Sequence, residues 1–304
     1  MNVQTWVEQL EKIVDPQHIK LNEPLNLYTM TKLGGNADVF VMPGNEAEAV
    51  AVVRFAHEHH IPVLMLGNGS NMVVRDGGVR GIVIHFALLD EIRITNTEVY
   101  AEAGALLKEV SKQAAASTLT GFEFACGIPG SIGGAMAMNA GAYGGEIKDI
   151  IKSCKVITRE GEVRTLSKDE LALSYRKSII AEKEYFVLSA IFELAVGVQA
   201  EIDAKVADLT FQRESKQPLE YPSAGSVFKR PPGYFAGKLI QDAGLQGKGV
   251  GGAEVSTKHA GFIVNKNEAS ATDYIQTIEM VQRVVKETYD IDLETEVKIV
   301  GDDL

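Results

Sequence analysis

The sequence predicts an α+β protein of more than one domain, and three observations lead there. Residues 37–66 alternate strand, helix and strand, and the second strand runs into Gly67-Asn68-Gly69-Ser70-Asn71. From 80 to 104 the pattern shifts to short strands: GIVIHF, EIRIT and EVYAEAG. The last hundred residues mix strands with one long helical pattern at 270–288. A chain of 304 residues exceeds what one hydrophobic core ordinarily serves, so two or three domains are expected.

Taken in order, Trp6, Leu10, Ile13 and Val14 fall at helical spacing and predict an amphipathic helix over 3–14. ADVFVM at 37–42 reads as a strand. Ala49, Val52, Val53 and Ala56 share one face of a helix from about 46 to 59, and VLML at 63–66 is the next strand. A helix follows near 105–117. KVITREGEVRTL at 155–166 predicts a hairpin turning at Glu160-Gly161. YFVLSAIFEL at 185–194 is an apolar strand, and Ile202, Val206 and Leu209 stripe a helix over 199–215. After a loop-rich stretch at 218–260 come the strand GFIVN (261–265), the helix 270–288 and a closing strand EVKIV (296–300). Boundaries near 82 and 199 give segments 1–82, 83–199 and 200–304.

Charge narrows the function. A net charge of -11 would repel phosphate backbones and anionic membrane surfaces, so an anionic ligand must meet a local basic pocket. Cys126 and Cys154 are too few and too far apart for a metal site or a disulfide framework, which fits a reducing compartment. Glu8, Glu11, Lys12 and Asp15 interrupt any apolar leader, and no run reaches the roughly 18–20 apolar residues of a membrane span. A soluble, cytoplasmic protein is expected. His57, Glu58, His59 and His60 read as a helix end, where imidazoles suit the macrodipole, and no metal is expected.

The chemistry is carried by two glycine loops. Glycine permits the positive φ angles that turn successive N–H groups toward one point, and such a nest binds phosphate. Gly67-Asn68-Gly69-Ser70-Asn71 has that composition directly after a strand; read alone, it is equally a sharp surface turn. Met72 stands where a Rossmann fingerprint needs its third glycine, and Gly247-Lys248 is followed by Gly249 rather than the Ser or Thr of a Walker loop. The second segment, Gly127 to Gly145, holds seven glycines in 19 residues. Ile128, Pro129, Ile132 and Met138 within it argue against a flexible linker and for backbone set close to a large flat ligand with a pyrophosphate.

Five segments, in order, resemble the UDP-N-acetylenolpyruvoylglucosamine reductase family (MurB): GNGSN (67–71), GIPGSIGGAMAMNAGAYGGE (127–146), SYRKS (174–178), SAGSVFKRP (223–231) and LETEV (293–297). The likeness runs from Tyr28 to Glu296. It implies a two-subdomain FAD-binding domain of the vanillyl-alcohol-oxidase (PCMH) type over 1–82 and 83–199. A C-terminal α/β substrate-binding domain follows over 200–304. FAD, held noncovalently, would lie between the first two subdomains. Gly67, Asn68, Gly69, Ser70, Asn71, Gly127, Ile128, Pro129, Gly130, Ser131, Gly133, Gly134, Asn139, Ala140 and Gly141 would hold it. The reaction implied is reduction of UDP-N-acetylglucosamine enolpyruvate by NADPH in peptidoglycan precursor synthesis, by a protein expected to be a monomer.

The catalytic residues implied by the resemblance are Arg176, Ser226 and Glu296. Arginine stays charged and grips a carboxylate through two donors; on context alone Arg176 reads sooner as a surface ion pair, and the resemblance reverses that. Ser226 would deliver a proton, although Pro222-Ser223-Ala224-Gly225-Ser226 also reads as a turn. Glu296 would help polarise the substrate carboxylate, and beside Glu294 it also reads as part of an acidic tail. Tyr175, Lys216, Arg230 and His259 are the candidate substrate contacts. The segment between 194 and 199 has no aromatic insertion, which corresponds to the shorter, type II form. The alternative is an FAD oxidoreductase acting on an alcohol or lactone.

Overall fold

The computed structural model describes residues 2–304, which form two compact units, neither contiguous in sequence. The first takes residues up to Asn22, Asp38–Asn68 and Gly81–Arg213. The second takes Glu23–Ala37, Gly69–Arg80 and Glu214–Leu304. The consecutive segments expected from sequence map onto these units unevenly, because residues 1–82 contribute to both. One non-local pairing explains this. Lys298–Val300 runs parallel to Met72–Val74 and draws the chain that follows GNGSN into the unit of the C-terminus.

In the first unit, Val63–Leu66 pairs in parallel with Val79–His85, from Val63↔Ile82 to Leu66↔His85. The sheet order is Ile19–Pro24, Asn36–Val41, Val79–His85, Val63–Leu66. Helix Glu46–Glu58 starts where local chemistry dictates. Asn45 accepts the Glu48 N–H at 3.0 Å, and Glu46 and Glu48 sit at the positive end of the dipole. Its expected face, Ala49, Val52, Val53 and Ala56, is buried.

The second sheet of this unit is antiparallel, in the order Val163–Ser167, Ile151–Ile157, Phe186–Glu193, Glu98–Glu102, Ile92–Thr95. The expected hairpin is its outer pair, turning through Gly161 at φ 83°. A short helix, Ile132–Met138, lies on strands Phe186–Glu193 and Glu98–Glu102 inside the glycine-rich segment, where no periodicity announces it. A Cβ on Gly133 would meet Met65 Cε at 2.8 Å and Ala103 C=O at 3.3 Å, so glycine there lets the helix approach the strands.

The second unit has its own core and an antiparallel sheet ordered Ser223–Ser226, Phe262–Asn265, Ala253–Val255, Gly249–Val250. Helix Ala271–Tyr289 covers it. Tyr274 is fully buried and donates to Ile263 C=O at 2.8 Å. The first N–H groups of that helix are all met. Ser270 accepts from Asp273 at 3.0 Å, while Asp76 accepts the Ala271 and Thr272 N–H groups, each at 2.8 Å.

Burial by itself would raise the Asp76 carboxyl; hydrogen bonds from the Thr272 hydroxyl and the two amides outweigh it and hold the pKa below its ordinary value. Asp76→Ala is therefore expected to cost about 1–2 kcal/mol in denaturant unfolding at neutral pH. Because the folded pKa is depressed, this contribution is present above the unfolded pKa and fades as pH falls through the folded one. Wild type and variant should converge in acid, and a gap that stays constant with pH would remove the ionised carboxylate as its cause.

Candidate functional site

Two glycine turns meet within the first unit. Asn68 Nδ2 donates to Pro129 C=O, and a Cβ on Gly67 would come within 2.8 Å of Ser131 Oγ. Ser131 is 4% exposed, and its hydroxyl has no hydrogen-bond partner among the described residues. A buried donor left open costs free energy unless a water or a ligand answers it, so this hydroxyl is available to one. Beside it lies a cavity of about 430 Å³, lined among others by Met65, Gly67, Asn68, His85, Gly104 and Ser131. His85 is neutral there: burial pushes its pKa down, and its Nδ1–H donates to Leu66 C=O at 2.9 Å.

The remaining loop residues divide by what they touch. Gly130 C=O accepts the Leu107 N–H at 2.9 Å, which ties the second turn to the helix Leu107–Ala116. A Cβ on Gly134 would lie 3.8 Å from Ser131 Oγ. Ile128 packs against the core, and Gly127 lies under the Arg213 side chain with no room for a Cβ. Ala140 is buried and donates to Ala135 C=O at 2.9 Å. Ser70 is half-buried, and Gly69 has φ 57° with Tyr28 C=O where a Cβ would stand.

Two asparagines read from sequence as cofactor donors have other work. Asn139 is completely buried at φ 47°, and its side chain is spent on protein groups. Asn71, in the second unit, donates to Glu296 C=O at 3.1 Å, and its own C=O accepts from Lys298.

Arg176 sits at the tip of a tight turn in the first unit. Ser174 and Lys177 exchange N–H···O=C bonds of 3.1 Å in both directions, leaving Tyr175 and Arg176 to form the loop. Arg176 has φ 55°, a conformation ordinary for Gly or Asn. Its guanidinium lies 5.1 Å from the centre of the half-exposed Tyr175 ring, and Nη2 donates to Gly141 C=O at 3.4 Å. The Arg176 turn thus stands against the second glycine segment.

Ser226 and Glu296 come together in the second unit. The Glu296 N–H donates to Val227 C=O at 2.7 Å, and Phe228 bridges Thr295. Ser226 ends its strand exposed, directly after Gly225 at φ 73°. Lys229 pairs with Glu294, so its charge is engaged there. Arg230 lies over the exposed Phe235 ring at 4.5 Å, and Lys216 is exposed. His259 is half-buried; burial lowers its pKa, and its Nδ1 accepts the Gly261 N–H at 3.1 Å. It therefore offers an Nε2–H donor rather than a positive charge.

Sequence reasoning missed Arg213. Burial lowers its pKa against the pull of Tyr143 and Cys126, and it covers Gly127. The signal was present: Ile202, Val206, Leu209 and Arg213 continue one helical stripe, and a charge on that face calls for a partner. Among the described residues, no helix is long and apolar enough to cross a membrane, and no group of three or more His, Cys, Asp or Glu is placed to hold a metal.

Comparison with known proteins accords with this architecture. Residues 37–167 match a family model described as FAD binding domain. Residues 217–300 match one described as UDP-N-acetylenolpyruvoylglucosamine reductase, C-terminal domain. The chain is 58% identical over 285 residues to the UDP-N-acetylenolpyruvoylglucosamine reductase of Listeria monocytogenes serotype 4a, covering 94% of this chain and 96% of the relative. The crystal structure of the Thermus caldophilus enzyme of that name superposes with a TM-score of 0.79 at 32% identity, covering 93% of this chain and 98% of the other. Alkyldihydroxyacetonephosphate synthase shares the fold alone, with a TM-score of 0.50 at 18% identity over 64% of this chain and 41% of its own.

Proposed function

We propose, as the chain belongs to the UDP-N-acetylenolpyruvoylglucosamine reductase family, that it converts UDP-N-acetylglucosamine enolpyruvate to UDP-N-acetylmuramate with NADPH for peptidoglycan synthesis. The observation that carries the cofactor part is the junction of Gly67 and Asn68 with Pro129 and Ser131, where a buried hydroxyl stands open beside a cavity. These residues fit FAD. Within the first unit, Gly67, Gly130, Ser131 and Gly134 would hold its pyrophosphate, and Gly67 leaves the space beside the Ser131 hydroxyl. FAD, when bound, supplies the two-electron chemistry between NADPH and the enolpyruvyl double bond.

The protein's part is to bind, orient and move one proton. Arg176 grips the substrate carboxylate and offsets the negative charge that grows there, a cation set in advance of the reaction. Glu296, fixed through its backbone to Asn71 and Val227, helps polarise the substrate carboxylate. Ser226 Oγ gives its proton to the substrate carbon that becomes basic. Lys216 and Arg230 supply the cations for the diphosphate in a chain of net charge -11, and His259 donates one neutral hydrogen bond. The protein works in the cytoplasm, as a monomer.

Gly67→Val tests the cofactor reading, since its side chain would occupy the space beside Ser131 Oγ. The variant should keep its Tm and lose FAD affinity at least about tenfold in a fluorescence titration, the scale of one lost hydrogen bond to a charged group. Unchanged affinity would move the pyrophosphate elsewhere. The reaction itself is tested by NADPH consumption. Oxidation that requires the enolpyruvyl sugar and yields a product two hydrogens heavier is expected. Oxygen uptake with an alcohol and no response to NADPH would instead indicate an oxidase.

A further inference from the structure

We infer that Asn139 is a positioning residue for Arg176: its buried carboxamide, not a ligand contact, sets the loop that carries the arginine. The inference rests on the carboxylate-binding role proposed for Arg176. Asn139 ends helix Ile132–Met138 in the left-handed region at φ 47°, with no exposed surface. Its Nδ2 donates twice, to Ser174 C=O at 3.0 Å and to Glu146 Oε2 at 2.9 Å. Its Oδ1 accepts the Lys148 N–H at 2.9 Å. Among natural side chains of this length, only a carboxamide offers two donors and an acceptor while tolerating positive φ.

The geometry gives that amide leverage. Ser174 is the first residue of the turn that holds Arg176, and its C=O also accepts the Lys177 N–H that closes the turn. Arg176 itself is held at φ 55°, a conformation that persists in a non-glycine residue only where the surroundings enforce it. Behind the turn, Ser178 Oγ donates to Ala137 C=O at 2.5 Å. In front, Arg176 Nη2 reaches Gly141 C=O. Asn139 lies in sequence between Ala137 and Gly141, the two residues that receive these anchors, and it holds the turn at Ser174. A shift of the turn by one ångström would misplace the guanidinium, and misplacement on that scale costs on the order of 10²-fold in rate.

The test uses the FAD-loaded full chain. Asn139→Asp keeps the size, the tolerance of positive φ and the acceptor for Lys148. It replaces both donated bonds with oxygen facing oxygen. Flavin content and the rate of bleaching by NADPH should stay within about threefold, while recolouring by the enolpyruvyl sugar slows by about 10–100-fold. In an Arg176→Ala background the same change should cost less than about twofold, because a residue acting through Arg176 has nothing left to position. Equal slowing of both half-reactions, loss of FAD, or an undiminished cost in the Arg176→Ala background would overturn the inference. If Arg176→Ala alone recolours at full rate, the arginine's proposed role fails first, and a slow Asn139→Asp enzyme would then act by another route. Asn139→Gly provides the control for strain: it relieves the positive φ, and recolouring should remain slow if the lost bonds, rather than the backbone, matter.

Discussion

Ser226→Ala is expected to bleach with NADPH at the wild-type rate and to recolour with the enolpyruvyl sugar about 10²–10⁴-fold more slowly. That is the range for removing a positioned proton donor. The split follows from what the hydroxyl does. In the proton-donor role proposed for it, the hydroxyl takes no part in binding FAD or in accepting reducing equivalents, so the first half-reaction should be indifferent to it. The second half-reaction ends with a proton placed on carbon, and Ser226 is the exposed hydroxyl at the end of its strand, on the segment that pairs with Thr295 and Glu296. The substitution removes one atom from a solvent-facing position, so stability should change little. Stopped-flow traces of the two half-reactions and the Tm of the variant check all three statements. Equal slowing of both phases would assign the serine a structural role.

Arg176→Ala should raise the barrier to recolouring by roughly 3–4 kcal/mol, the scale of one preorganised charge partner. Arg176→Lys should recover only part of that loss, because an ammonium keeps the charge but not the two parallel donors that fit a carboxylate. The surface-ion-pair reading of Arg176 predicts a change within about 1 kcal/mol for both variants. The structure bears on that choice. Arg176 stands in a turn bonded at Ser174, Lys177 and Ser178, and its Nη2 is held by Gly141 C=O in the second glycine segment. Single-turnover rates at saturating substrate would separate the two readings.

Most of the fold was legible because its elements carry local signals. The period of Ala49, Val52, Val53 and Ala56 and the Glu160-Gly161 turn each act within a few residues, and each stands where the sequence puts it. What stayed hidden is non-local or masked by composition. Nothing near Met72 announces a parallel partner at Lys298, so the chain from Gly69 to Arg80 could not be read into the unit of the C-terminus. Gly133 and Gly134 suppress helical propensity, and the helix they occupy exists because the strands beneath accept it closely.

At the site, composition located the two glycine turns and did not apportion their residues. Several of those glycines face protein: Gly127 meets Arg213, Gly69 meets Tyr28, and Gly133 meets Met65. Asn71 and Asn139 have the composition of phosphate donors and bond to protein groups, one at Glu296 and the other at Ser174. An asparagine in a glycine loop looks the same from sequence whether its amide faces a ligand or a neighbouring turn; the burial of Asn139 and its three side-chain hydrogen bonds distinguish the two.

The most direct measurement is an anaerobic single turnover followed by visible absorbance. FAD-loaded protein is bleached with one equivalent of NADPH and then given one equivalent of UDP-N-acetylglucosamine enolpyruvate. Full return of colour with one equivalent of UDP-N-acetylmuramate is the predicted result. Protein that retains no FAD, or that recolours only when oxygen is admitted while the sugar is recovered unchanged, would contradict the assignment.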